Sequence, residues 1–188
     1  AKMNGCTVLF VGLESISDLQ LKSLSKQFKS INQVEDALKE IKKVGILIHA
    51  AIIFGFDQDN KQTFIQTVKF LQKNGICSVS FNILTPYPGT KIFQDLKKEG
   101  RLLTTDWRFY DNHTVVFHPR NMNPYELQVG MMLSDKKFYS FISIVKRFFS
   151  NLNHPLIFLA LNLAHRKYAK EDGARVKKIK HLSIAYGK

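Results

Sequence analysis

Polar residues follow three apolar runs in the first half of the chain, and the first run ends in Gly12-Leu-Glu-Ser15. The Glu14 carboxylate offers only hydrogen-bond acceptors, whereas the Ser15 hydroxyl both donates and accepts. This pair could therefore bind ribose hydroxyls or an amino group of a ligand. The alternative interpretation is a simple strand end, in which Ser15 or Ser17 caps the following helix.

The second apolar run ends in Ile53-Phe-Gly-Phe-Asp-Gln-Asp59. Ile53 and Phe54 offer apolar contact to an aromatic base, and Gly55 would let a flat ligand lie against the main chain. Asp57 and Asp59 would then lie in the loop at the edge of the sheet. The alternative interpretation is that both aspartates form the turn or cap the next helix.

The third run leads into Leu84-Thr-Pro-Tyr-Pro-Gly-Thr90. Main-chain groups near Leu84 and Thr85 could read the edge of an adenine, while Pro86 and Pro88 stiffen the loop. A rigid loop without a ligand is the alternative. Ligands bind at the carboxyl ends of the strands in parallel α/β sheets, so the three ends together indicate one small-molecule site.

The elements that would position these residues alternate between strand and helix. Apolar runs at 7–12, 46–54 and 76–85 predict three strands. This order is typical of βαβ units in a parallel sheet, and three strands are few for a complete α/β domain. We therefore expect part of a larger sheet or barrel. The predicted helices between and after the strands cover 17–28, 32–44, 60–74 and 90–99.

A mainly helical region follows one more short predicted strand at 114–117. The helical pattern breaks near Ser134, and a final helix covers 155–168 before a basic, weakly patterned tail. We predict two domains: residues 1–119 form the α/β part, and residues 120–188 form a basic helical extension.

Two helix starts carry capping signals. Asn32 precedes Glu35 by three residues, and Asn123 is followed by Pro124 and then by Glu126. In a capping box, the first side chain and the one three residues later each bind a free backbone N–H of the helix terminus. Both helices are therefore expected to begin at these asparagines.

The net charge of the 188-residue chain is +13, and it is uneven. Residues 1–119 hold 15 Lys and Arg against 11 Asp and Glu (+4), whereas residues 120–188 hold 13 against 4 (+9). Such an excess suggests an anionic partner, either a membrane surface or RNA, with a merely soluble basic face as the alternative. The basic residues of the extension alternate with phenylalanines, which could also pack a core: Phe138, Phe141, Phe148, Phe149 and Phe158.

The two cysteines, Cys6 and Cys77, lie far apart and match no metal-binding spacing. We interpret them as reduced, buried thiols, which favours a cytoplasmic location. The apolar run at 8–13 is too short for a signal peptide, and no run approaches the roughly 18 residues of a spanning helix. The predicted location is the cytoplasm, with peripheral membrane contact through the basic extension as an option.

Four motifs occur in order along the chain: Gly5-Cys6 with Phe10-Val-Gly-Leu-Glu-Ser15, Ile52-Ile-Phe-Gly-Phe-Asp-Gln-Asp59, Ile83-Leu-Thr-Pro-Tyr-Pro-Gly-Thr90 and Glu99-Gly-Arg-Leu-Leu103. Together they resemble the radical S-adenosylmethionine superfamily, and they are most similar to its cobalamin-binding-domain class. The resemblance covers roughly residues 3–150. It implies the C-terminal half of a partial (β/α)6 TIM-like barrel, whose fourth to sixth strands are the three predicted here.

The resemblance also implies a cofactor, S-adenosylmethionine, and its contacts. Glu14 and Ser15 would lie near the ribose and methionine part, and Lys26 falls where the family often has a basic residue. Ile53, Phe54 and Gly55 would flank the adenine.

The remaining matches lie in the two later motifs. Leu84, Thr85 and Pro86 would close the adenine pocket. Asp57 and Asp59 match the family's Gly-Phe-Asp-x-Asp pattern, which does not fix their role.

One departure from the family is large. Its enzymes hold a [4Fe-4S] cluster with three cysteine thiolates spaced Cys-x3-Cys-x2-Cys, and this chain has two cysteines outside any such motif. Cys6 matches the Gly-Cys before the fourth strand, which is not a cluster ligand. No intact cobalamin domain is recognised either, so cobalamin would belong to a parent protein.

We therefore expect a half of a radical S-adenosylmethionine enzyme that supplies adenosyl-binding walls without the cluster ligands. It would be a split or truncated product, or a partner of an N-terminal barrel half on another chain. The parent would cleave the cofactor to a 5′-deoxyadenosyl radical and act on a small-molecule or lipid substrate that the motifs do not identify. The alternatives are a non-catalytic basic module that binds membrane or RNA, and an inactive remnant.

Overall fold

Three parallel strands form a sheet in the order β1-β2-β3: β1 (Val8–Glu14), β2 (Leu47–Phe54) and β3 (Ser78–Ile83). The computed structural model describes residues 1–24 and 30–171 of the chain. The α/β class and the three predicted strands are confirmed, with ends that shift by up to two residues. The larger barrel stays a prediction.

Helices connect the strands and follow the last one. Two helices lie between β1 and β2, and one lies between β2 and β3, as parallel neighbours require. The predicted helix over 17–28 is confirmed for its first part, and residues 25–29 lie outside the described residues. The four helices are α1 (Asp18–Leu24), α2 (Ile31–Lys43), α3 (Lys61–Lys73) and α4 (Lys91–Lys98).

The predicted start of α2 at Asn32 is wrong. The helix begins at Ile31 after the N-cap Ser30, and the Ile31 N–H donates to the Asp18 carboxylate at 2.7 Å. Asp18 therefore satisfies the helix terminus from a distant position. Glu35 makes no capping box and instead accepts hydrogen bonds from Lys73 and Asn74 at the end of α3.

Alternate residues of the strands face two different environments. Odd-numbered residues of β3 and even-numbered residues of β2 are buried against α2 and α3 in one apolar core. The opposite side, which we call the open face, is half-buried or exposed. Its described members at the middle and carboxyl end of the sheet are Phe10, Gly12, Glu14, His49, Ala51, Ile53, Ser80 and Asn82.

Three helices form the extension: α5 (Pro124–Phe138), α6 (Phe141–Phe148) and α7 (Pro155–Glu171). The capping box of Asn123 and Glu126 is confirmed. The predicted break near Ser134 is wrong, because its hydroxyl donates to Gly130 O within α5. The helix ends after Phe138, and Ser140 caps α6 by accepting from the Ser143 N–H.

The extension is anchored on the start of β3 by Arg147, which is 1% exposed. Its guanidinium donates to the carbonyl oxygens of Ile76, Cys77 and Phe138 and to Asn162 Oδ1 on α7. Burial lowers the pKa of Arg147 to about 10. No ion pair to a carboxylate is formed by this side chain among the residues that the structure describes, so five-donor hydrogen bonding compensates for its lost hydration.

The segment predicted as a strand at 114–117 is not one. Phe117 makes a single antiparallel bridge to Leu102, because the partner segment offers only a few residues for pairing. The segment is apolar since Val115, Val116 and Phe117 are fully buried in the main core.

The phenylalanines of the extension divide between core and surface. Phe138 and Phe158 are fully buried, whereas Phe141 and Phe149 are each 70% exposed. The alternative interpretation, in which these phenylalanines pack a core, therefore holds for Phe138 and Phe158 and not for Phe141 and Phe149. No helix within residues 1–24 and 30–171 has the length and apolarity needed to cross a bilayer.

Candidate functional site

The candidate site lies where the three strands end, on the open face. Strand register places Gly12 beside Ala51 and Ala51 beside Ser80, and it pairs Ile53 with Asn82 in the next row. Three small residues side by side leave a shallow platform over the main chain. Ile53 then provides an apolar side chain at the carboxyl end of this platform.

Glu14 closes one side of the platform. A β-bulge between Gly12 and Glu14 and a φ of +61° at Glu14 bring its carboxylate over Gly12, where an added Cβ would lie 3.0 Å from Glu14 Oε1. A residue other than glycine in the left-handed region is held there at a cost, which is often found at binding sites. A larger residue at position 12 would crowd this carboxylate, and the Glu14 side chain would have to shift.

Ser15 follows as a buried turn residue. Its hydroxyl oxygen accepts from the Ser17 N–H at 3.1 Å, as the capping alternative expects, although α1 itself starts at Asp18. This contact leaves the Ser15 hydroxyl proton for a further partner. The predicted basic residue Lys26 lies outside the described residues.

Ile53 and Phe54 point to opposite sides of the sheet. Ile53 is half-buried on the open face, whereas Phe54 is buried in the core. The centroid of the Phe54 ring lies 4.8 Å from that of Phe64 and 5.5 Å from that of Phe81. The apolar contact expected from the Phe54 side chain is therefore not available on the open face. Phe54 contributes its main chain, whose carbonyl oxygen accepts from the Leu84 N–H.

Gly55 allows two core side chains to pack closely against the main chain, and it does not leave the main chain open to a ligand. Its φ is +110°, and an added Cβ would lie 3.0 Å from Phe117 and 3.1 Å from Leu127. The side chains of Phe117 and Leu127 therefore occupy the space in which a flat ligand was expected to lie against Gly55. The loop is held by Asp59, whose buried carboxylate accepts from the N–H groups of Gly55 and Phe56 at 2.8 and 3.0 Å.

Asp57 belongs to an ion-pair network at the rim. Its two oxygens accept from Arg101 and Arg120 at 2.7 and 2.8 Å, and both arginines also contact Glu99. Burial alone would raise the pKa of Asp57, but the hydrogen bonds from Arg101 and Arg120 hold it below its ordinary value. This carboxylate is already occupied, so its contribution is to fix the loop after β2.

The loop after β3 is fixed in a similar way. The Leu84 N–H is used in the sheet, and the Thr85 hydroxyl donates to Ile83 O at 3.0 Å. Pro86 is buried. An adenine edge would therefore have to be read by the remaining main-chain groups of Thr85 and by the Leu84 carbonyl oxygen.

A cavity of about 440 Å³ opens between the strand ends and α4. Asp57 and Leu84 lie in its wall, together with Phe56, Ile92 and Phe117. Glu14 and Ile53 are not part of this wall and belong to the platform on the open face. The predicted residues thus divide between a platform and a neighbouring cavity.

The cysteines lie at the opposite end of the sheet. Cys6 precedes β1 and Cys77 precedes β3, and burial raises the pKa of Cys77 to about 11. A protonated thiol away from the strand ends is a poor iron ligand. Within the described ranges no three His, Cys, Asp or Glu side chains converge as a metal site. The side chains within residues 1–24 and 30–171 therefore form no group that could hold a [4Fe-4S] cluster.

Sequence reasoning missed the polar residues of the open face. His49 is hydrogen-bonded through both ring nitrogens to the hydroxyls of Ser78 and Ser80, and Asn82 donates to Ile52 O. The alternation Ser-Val-Ser-Phe-Asn-Ile in β3 was the available signal, because period two assigns its polar residues to one face.

Several curated proteins are similar to this chain, although no family model matches it. It is 31% identical over 78% of its length to bacteriochlorophyllide d C-12(1)-methyltransferase of Chlorobaculum tepidum, and 27% identical over 87% to the C-8(2)-methyltransferase of that organism. It is 24% identical over 72% to anaerobic magnesium-protoporphyrin IX monomethyl ester cyclase of Cereibacter sphaeroides.

The chain spans about a third or less of these relatives, with 32%, 36% and 22% of their lengths covered. Taken with the four ordered motifs, these similarities show that the chain belongs to the radical S-adenosylmethionine superfamily.

Proposed function

We propose that this chain supplies one wall of the S-adenosylmethionine site in a radical S-adenosylmethionine enzyme. The observation that carries the proposal is the platform of Gly12, Ala51 and Ser80, bordered by Glu14 and Ile53. The bordering residues Glu14 and Ile53 lie at the carboxyl ends of parallel strands, where α/β proteins bind ligands.

The platform suits the adenosyl group in shape and chemistry. Small residues let a flat ring approach the main chain, and the half-buried Ile53 side chain gives it apolar contact. The Glu14 carboxylate, with acceptors only, matches the donors of a ribose diol or of the cofactor's amino group. When bound, S-adenosylmethionine supplies a sulfonium that is the source of a methyl group or of an adenosyl radical.

The iron–sulfur cluster would be held by residues that this sequence does not include. A cluster with three thiolate ligands needs one cysteine more than the two present, and both lie at the wrong end of the sheet. For the complete protein we propose a methyl transfer, since two of the relatives are named as methyltransferases.

Binding of S-adenosylhomocysteine tests the proposal, because it carries the same adenosyl group without a reactive sulfonium. Equilibrium dialysis should detect saturable binding that Ile53→Asp weakens by about tenfold or more, since a carboxylate would replace apolar contact and repel Glu14. Ile65→Asp is the matched control, because Ile65 is a partly exposed isoleucine on α3 away from the platform. Absence of saturable binding, or equal loss in both variants, would contradict the proposal.

A further inference from the structure

Six large apolar side chains are exposed on the last two helices and their connection. Each is between 55% and 80% exposed, which exceeds what isolated surface residues explain. We call this group the extension surface: Phe141, Ile142, Phe149, Leu152, Leu156 and Leu163.

The exposed sides of α6 and α7 both face away from the start of β3. Arg147 of α6 and Asn162 of α7 both donate to the carbonyl oxygen of Cys77, at 2.7 and 3.0 Å. Each helix therefore buries its inner side against the start of β3. On α7, Leu156 and Leu163 lie seven residues apart and opposite the buried Phe158 and Asn162, so they share one outer side.

The stretch between Asp135 and Glu171, which includes α6 and nearly all of α7, carries positive charge without an acidic residue. Residues 136–170 contain no Asp or Glu, whereas they contain Lys136, Lys137, Lys146, Arg147, Arg166, Lys167 and Lys170. Arg147 is buried and Arg166 donates to Tyr139 O, whereas Lys136, Lys137, Lys146 and Lys167 are exposed and could act on a partner. Lys146 and Lys167 are exposed beside the extension surface.

We propose that the extension surface docks on an anionic lipid bilayer, with α6 and α7 lying in the interface. Exposed leucines and phenylalanines enter the boundary between headgroups and acyl chains, and the lysines contact anionic headgroups. RNA would use the charge but would leave the aliphatic Leu152, Leu156 and Leu163 in water. Because the helices are anchored at the amino end of β3, the carboxyl ends of the strands, where Glu14 and Ile53 lie, stay accessible.

Co-sedimentation of the 188-residue chain with vesicles tests the docking. We expect binding to vesicles of phosphatidylcholine with phosphatidylglycerol, and at least about tenfold weaker binding to phosphatidylcholine alone or in high salt. Phe149→Asp with Leu156→Asp should abolish it. The matched control is Leu19→Asp with Val44→Asp, two exposed apolar residues outside the extension, which should bind as the parent does.

A second pair of variants tests whether lysines contribute to the binding of anionic vesicles. Lys146→Glu with Lys167→Glu should lower the partition coefficient by about tenfold or more, whereas Lys97→Glu with Lys98→Glu on α4 should not. Circular dichroism of every variant excludes unfolding as the cause. Equal binding to neutral and anionic vesicles would overturn the proposal, as would binding of an RNA oligomer without any binding to vesicles. A dimer of the chain that is dissociated only by the double variant Phe149→Asp with Leu156→Asp would also overturn it, because the surface would then be an interface between two copies.

Discussion

The hydroxyl of Tyr139 binds both main-chain groups of Val79, donating to its carbonyl oxygen at 2.7 Å and accepting from its N–H at 2.8 Å. Val79 lies on the edge of β3 that has no neighbouring strand among the described residues. One buried side chain from the extension therefore replaces a strand at this position, which protects an edge that could otherwise pair with another chain.

Tyr139→Phe should lower the free energy of unfolding by about 1–3 kcal/mol, because it leaves a buried N–H and a buried C=O of Val79 without a partner. Urea denaturation measures this loss. Tyr125→Phe is the matched control. Tyr125 is 45% exposed, so loss of its hydroxyl should change the free energy of unfolding little. Equal stability of the two variants would show that water replaces the Tyr139 hydroxyl.

Arg147→Met should destabilise the chain by about 2–4 kcal/mol, because a buried acceptor that loses its donor costs about 1–3 kcal/mol. The loss arises because the carbonyl oxygens of Cys77 and Phe138 and the Asn162 side chain lose their shared donor. Lys146→Met, at the neighbouring exposed position, should have almost no effect in the same denaturation experiment. A stabilised Arg147→Met variant would mean that apolar packing satisfies this site better than hydrogen bonding.

Arg101→Met should cost more stability than Arg120→Met, even though both arginines contact Asp57 and Glu99. The Arg101 side chain is 13% exposed and also donates to His118 O, whereas the Arg120 side chain is 51% exposed. We expect a loss of about 1–2 kcal/mol for Arg101 and little for Arg120, whose pair is screened by water. Chemical denaturation in low and high salt distinguishes them, and the reverse order would contradict this interpretation of the network.

Stability should fall as pH drops from about 7 to 5, in part because of His49 and His165. Burial, and for His49 also the charge of His165, lowers the pKa of both imidazoles below the ordinary value of about 6.5. The unfolded chain therefore binds these protons more readily, so the histidines contribute stability above pH 6.5 that is lost as pH falls through their folded-state pKa. His49→Asn with His165→Asn should flatten the pH dependence of unfolding measured by urea denaturation, and an unchanged pH dependence would contradict this assignment.

Gly130→Ala should destabilise the contact between α3 and α5 by about 1–3 kcal/mol, because the new methyl group would lie 2.3–2.6 Å from ring atoms of Phe64. Phe64→Leu should make room for it. A double-mutant cycle measured by thermal unfolding is expected to show that the two changes together cost less than their sum. Strict additivity would indicate that the helices simply move apart.

Local patterns were sufficient to predict the strands and most helix starts. Apolar runs located β1, β2 and β3, and Asn123, the predicted cap of α5, accepts the expected backbone N–H of Glu126. These features depend on neighbours in sequence, so the sequence records them directly.

The remaining features depend on contacts between distant residues. Tyr139, which follows the last residue of α5, binds Val79 sixty residues away, and the role of Asp57 follows from Arg101 and Arg120. The orientation of Phe54 was hidden because β2 is apolar on both sides, which removes the alternation that would show its face.

Hydrogen exchange with and without S-adenosylhomocysteine tests the central claim most directly, because it locates the adenosyl group on the 188-residue chain. We expect slower exchange at residues 12–15, 51–53 and 80–82, where the platform and its border lie, and unchanged exchange in α6 and α7. Protection confined to other segments, or no protection at saturating ligand, would contradict the assignment of this edge of the sheet as an adenosyl-binding wall.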